Sequence, residues 1–153
     1  MFRATLLATA VAFAPSTSTA QGHPLIGAWS ITFPAGMRIE NGTPTPITRT
    51  GKFTVVAQGD SLIATLATDP ADGLPPRPDA RLATKAGPGD VVFIHRSTAR
   101  ININGNEREA TSISTWTLSV MGDKLEGTVT RQVEGMDAPS AGPQPVTGTR
   151  VGS

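Results

Sequence analysis

Cysteine and tyrosine are missing from this chain, histidine occurs only twice, and charged side chains make up 16% of its 153 residues. Without cysteine there is no disulfide framework, thiol nucleophile, thiolate metal site or lipoprotein anchor. The two imidazoles, His23 and His95, lie far apart in the sequence, so no metal site is expected. One histidine is enough to ligate haem, but a lone histidine is far more often structural, and no cofactor is expected. The 13 Lys and Arg are balanced by 12 Asp and Glu, which leaves no broad basic field for nucleic acid and no acidic surface for cationic partners. Phosphate loops and dinucleotide fingerprints are absent too, because the glycines sit in hairpins and not between a strand and a helix. A Ser–His–Asp triad would need His95, and no acidic residue is placed to orient it. The residues therefore give no support to catalysis.

What the chain does have is 16 Gly and 13 Pro, with abundant Thr and Val, a composition of β structure and turns. Its length is that of one domain with a proper core. Residues 1–20 read as a secretory signal peptide: a positive charge at Arg3, an apolar run from Leu6 to Ala14, then Pro15 and the small residues Ser18-Thr19-Ala20. The apolar run is about half of what crossing a bilayer requires, so a stable membrane anchor is not expected. Cleavage after Ala20 leaves a single domain, 21–153, that is exported to the periplasm or the exterior. Loss of Arg3 makes that domain formally neutral.

Segments of period-two alternation recur between clusters of Gly, Pro, Asn and Asp. They predict eight strands, at 27–33, 48–57, 61–68, 80–85, 90–103, 107–120, 124–133 and 144–151. The segments 80–85 and 144–151 are the weakest, the second because Pro145 argues against a central strand. An internal echo supports the scheme. Residues 53–66 (FTVVAQGDSLIATL) match 116–129 (WTLSVMGDKLEGTV) without a gap, and each reads as a hairpin turning on Gly-Asp. Long connections are expected at 34–47, 69–79 and 134–143, and short ones at 58–60, 86–89 and 121–123. In an up-and-down meander these fall at opposite ends, with the Asn104-Gly105 turn at the long-loop end. That segregation predicts an all-β, eight-stranded antiparallel barrel with a shut base and a loop-fringed mouth. A two-sheet sandwich with crossovers is the alternative.

The domain opens with His23-Pro24-Leu25-Ile26-Gly27-Ala28-Trp29 and closes with Thr147-Gly148-Thr149-Arg150. Gly27-x-Trp29 at the start of the first strand, paired with Arg150 at the end of the last, resembles the lipocalins and the wider calycin superfamily. The resemblance implies that Arg150 packs over the Trp29 indole and shuts the barrel base. It rests on two short motifs and on the architecture of about 130 residues. The chain departs from lipocalins in lacking a helix after the last strand, and from fatty-acid-binding proteins in lacking a helical pair within 33–46, where prolines forbid one. Avidin-like barrels share the opening motif, but their biotin-contacting set is not found.

Two-residue turns at Asn104-Gly105 and Gly122-Asp123 fix registers. They set Phe93 opposite Trp116 and Trp116 opposite Val129, on what is expected to be the inner face. Two residues toward the mouth, His95, Ser114 and Arg131 form a polar row, with Ser97, Ser112 and Val133 above it. These residues suit a small apolar or amphiphilic ligand whose anionic head group meets Arg131 and His95. Phe93, His95, Ser114, Trp116 and Arg131 are thus the candidate ligand-binding residues, and Gly27, Trp29 and Arg150 the structural base. The competing reading has Arg131 reaching water at the rim and His95 bonded only to Ser114. Trp29, Trp116, Phe53 and Phe93 likewise either line a cavity or fill the barrel. A filled barrel would leave the mouth loops to bind another protein, with Gly-Leu-Pro-Pro-Arg-Pro at 73–78 lying extended in a partner groove.

Overall fold

A computed structural model describes residues 20–103, 105–135 and 141–152. The expected signal peptide, except for Ala20, lies outside the described residues. Eight strands follow one another along the chain: β1 (Gly27–Glu40), β2 (Thr43–Gln58), β3 (Ser61–Thr68), β4 (Ala80–Lys85), β5 (Val91–Ile103), β6 (Asn106–Met121), β7 (Lys124–Val133) and β8 (Ala141–Arg150). They form one antiparallel sheet in the order β4-β3-β2-β1-β8-β7-β6-β5. The first and last strands pair through Trp29–Arg150 and Thr32–Thr147. The free strands β4 and β5 then lie side by side with no ladder between them. The result is a nearly closed barrel with one unbonded seam, and not a sandwich.

Turn chemistry explains the registers. Gln58 pairs with Ser61 across Gly59-Asp60, and Met121 with Lys124 across Gly122-Asp123; both glycines adopt positive φ, near 60°. The two echo segments are therefore equivalent hairpins on opposite walls. Phe93 pairs with Trp116 and Trp116 with Val129, the pairs that the turn positions dictate.

The stretch 34–47 differs from the loop expected there. β1 and β2 continue as a long hairpin that reverses on Asn41-Gly42, both at positive φ, with a bulge that leaves Ala35 without a partner between Pro34–Thr48 and Gly36–Ile47. The prolines 44 and 46 do not forbid this strand, because β3 ends opposite Gly51 and β2 beyond that point is bonded on one side only. The same reasoning covers β8, which starts three residues earlier than expected. Pro145 pairs with Thr128 of β7 but lies outside the β1 ladder, which takes up only 147–150. The long connection described at the mouth is therefore 69–79; of the one expected at 134–143, residues 136–140 lie outside the described residues and 141–143 belong to β8.

Inner positions fill the lower barrel. Trp29, Phe33, Phe53, Phe93, Leu25, Leu62, Leu118, Leu125, Val55 and Val146 are fully buried. Phe53 stacks on Trp116 at 6.5 Å and meets Phe93 edge-on at 6.0 Å, so aromatics from opposite walls touch across the axis. At the floor, Trp29 Nε1 donates to the Leu25 carbonyl (2.9 Å), and Arg150 Cζ lies 4.2 Å from the indole centroid. Arg150 also donates to the carbonyls of Ile26 (2.9 Å) and Pro24 (2.8 Å) and lies 3.5 Å from Asp123. Gly27 leaves room for this guanidinium: at φ 131°, a Cβ there would sit 2.7 Å from Arg150 Nη1.

Candidate functional site

Above the aromatic layer the barrel is open. A cavity of about 350 Å³ is lined by the apolar side chains Phe33, Leu66, Leu82 and Trp116 and by the polar side chains His95, Ser97, Ser112, Ser114, Arg77 and Arg131. The inner row forms because three ladder partners meet at one height: His95 pairs with Ser114, and Ser114 with Arg131. One step higher, Ser97 pairs with Ser112 and Ser112 with Val133, and both serines line the same space. Trp116 forms part of the cavity floor, its ring 5.7 Å from Phe33.

The five residues singled out from the sequence do not share one role. His95, Ser114, Trp116 and Arg131 border the cavity, whereas Phe93 lies below it, fully buried against Phe53. Both alternatives for the aromatics thus hold in part, since Trp29, Phe53 and Phe93 fill the lower barrel while Trp116 and Phe33 reach the cavity. Arg131 does not simply reach out to water; its Nη2 donates to the Pro34 carbonyl (3.1 Å). His95 is half-buried, and among the described residues no side-chain hydrogen bond joins it to Ser114.

Two further arginines converge on the mouth. Arg77, on the 69–79 loop, donates from Nη2 to the Ala35 carbonyl (2.6 Å). Arg49, on β2 and only 4% exposed, donates to the Pro75 carbonyl (3.1 Å), while its buried Nε has no acceptor among the described residues. These bonds tie the loop across the rim. The bulge at Ala35 is central, because the consecutive carbonyls of Pro34 and Ala35 receive Arg131 and Arg77, respectively. Burial, and then the Arg77 charge, lower the Arg131 pKa from arginine's ordinary value; burial and then the Arg49 charge do the same to Arg77. The two ion pairs among the described residues, Arg96–Glu134 and Arg150–Asp123, involve neither Arg49 nor Arg77.

Sequence reading missed these two arginines for different reasons. Arg49 shares parity with Phe53 and Val55, so strict alternation continued through β2 would have placed it inward. For Arg77 no such signal exists, because a side chain on a proline-rich loop has no periodicity to follow. No protein-family model matches the chain, and no curated protein or solved structure matches it.

Proposed function

We propose that this protein is an exported, lipocalin-like carrier that holds a small apolar or amphiphilic ligand in the upper half of its barrel. The observation that carries the reading is the mixed lining of the cavity: the apolar side chains Phe33, Leu66, Leu82 and Trp116 share one space with His95, Ser114 and two arginines. Ligand pockets combine an apolar majority with a few polar groups that fix orientation. At about 350 Å³ the space is at the small end of the usual range, which favours a compact ligand over a long-chain lipid. Gly27, Trp29 and Arg150 at the floor support the lipocalin likeness. Residues 1–20 support export by their three-part pattern.

Solvent extraction of purified protein followed by mass spectrometry, together with displacement of a fluorescent short-chain probe, tests the reading. A co-purifying small molecule or stoichiometric displacement supports it. If extraction recovers nothing and a panel of short amphiphiles displaces no probe, the carrier reading fails. The alternative, recognition of a protein by the 73–78 segment, draws less support. Pro75 and Arg77 are already engaged by Arg49 and by the Ala35 carbonyl, which leaves that segment less free to enter a partner groove.

A further inference from the structure

Two polar side chains meet at one height on β5 and β6 inside the barrel. His95 and Ser114 are cross-strand partners, and both line the cavity. Ser114 is only 7% exposed, yet neither its hydroxyl nor the His95 ring has a side-chain hydrogen bond to protein beyond the one the ring lacks with Ser114, among the described residues. A serine hydroxyl offers one donor and two acceptor positions, and an imidazole offers two ring nitrogens. Buried polar groups are ordinarily bonded, so these positions are left to whatever occupies the cavity. Below them Trp116 belongs to the floor, its ring 5.7 Å from that of Phe33 and tilted 49° against it.

We infer, on the reading of this cavity as a ligand site, that its occupant is a phenol: an aromatic ring held against Trp116 and Phe33, with its hydroxyl bonded by His95 and Ser114. Ser114 follows Trp116 by two positions toward the mouth on the same face of β6, which sets the polar pair about 6.4–6.8 Å above the floor residue. A ring in contact with the floor, at about 3.5–4.0 Å, brings a hydroxyl on its far edge to that height. Aromatic pairs in offset or edge-on geometry gain beyond their area burial, and two rings tilted against each other offer a third both a face and an edge. The head group follows from its partners. A hydroxyl both donates and accepts, as Ser114 does, whereas a carboxylate only accepts. Leu66 and Leu82 line the remaining space and suit a small alkyl substituent on the ring.

Calorimetric titration of the full chain with p-cresol, toluene and 4-methylcyclohexanol tests this, since the three are similar in size and differ in the hydroxyl and in the ring. p-Cresol is expected to bind at least about tenfold more tightly than toluene, because a site that bonds a hydroxyl rejects the analogue lacking it. It should also bind about threefold or more tightly than 4-methylcyclohexanol, through the aromatic floor. Ser114→Ala deletes one oxygen that bonds no protein group, so the barrel is retained, and circular dichroism verifies this. The variant should weaken p-cresol about fivefold, the loss of one hydrogen bond, and leave toluene within about twofold. His95→Phe, which keeps a ring of similar size, should show the same selectivity. A merely structural role for either residue would lower both probes alike, and that outcome refutes the contact. Toluene binding as tightly as p-cresol refutes the hydroxyl site, and 4-methylcyclohexanol doing so refutes aromatic recognition; the carrier reading survives both. If none of the three binds while a short amphiphile still displaces the fluorescent probe, only the phenol falls; if neither binds, both readings fall.

Discussion

Removal of the Arg150 side chain tests how the barrel is closed. In Arg150→Ala the indole of Trp29 loses a guanidinium that lies 4.2 Å from its centroid, an interaction of about 0.5–2 kcal/mol. The hydrogen bond to the Ile26 carbonyl is charge-assisted and partly buried, and its loss costs about 1.5 kcal/mol or more. The Pro24 bond and the Asp123 pair face solvent, Asp123 being 87% exposed, and together add under about 1 kcal/mol. The expected destabilisation is about 2–4 kcal/mol, because these contacts share one side chain and do not simply add. Urea denaturation followed by circular dichroism and by tryptophan fluorescence measures it, provided that the two signals coincide. Arg150→Lys keeps a cation over the ring but cannot reach both carbonyls, so about half the loss should return. Asp123→Asn should cost less than about 0.5 kcal/mol. A loss of under about 0.5 kcal/mol in Arg150→Ala, or an Asp123→Asn effect of equal size, would refute the latch as described.

Phe93→Ala removes a ring that is fully buried and packed edge-on against Phe53, so a loss of about 3–5 kcal/mol is expected by denaturation. Because Phe93 lies below the cavity, probe affinity of the folded protein should change less than that of Trp116→Ala; a larger change in Phe93→Ala would return it to the ligand wall. Arg49→Met deletes a buried charge whose Nε has no acceptor among the described residues, together with its bond to Pro75. Global stability should stay within about 1 kcal/mol, as often follows replacement of buried charge by apolar volume. Limited proteolysis should nevertheless cut the 69–79 segment faster, and an unchanged cleavage rate would contradict its tethering by Arg49.

The sequence was most legible where turn chemistry is strict. Asn104-Gly105 and Gly122-Asp123 leave two residues between strands, and a two-residue hairpin permits one register only. The heights of His95, Ser114 and Arg131 follow from those turns without any tertiary information. The hairpin of β1 and β2 was illegible for the opposite reason. Its turn, Asn41-Gly42, is as strong a signal as the others, but the prolines 34, 44 and 46 argued louder for a loop. Whether a proline breaks a strand depends on whether a neighbour needs its N–H, and that neighbour is known only once the sheet is assembled. The bulge at Ala35 has the same character, since local composition does not announce it, yet it presents the two carbonyls that gather Arg77 and Arg131.

Closure of the barrel by Arg150 also sets a kinetic order. The bond from Arg150 to Ile26 spans 124 positions, whereas the hairpins on Gly59-Asp60 and Gly122-Asp123 join residues three apart. Hairpins of that kind form in about 1–10 μs. Contacts of such long range are the slow ones, and domains dominated by them fold in about milliseconds to seconds. During synthesis, at about 5–20 residues per second, the amino-terminal strands wait several seconds before residue 150 exists. Throughout that interval Trp29 lacks its Arg150 cover and the ladder between β1 and β8 has no second strand, so the nascent sheet stays unclosed.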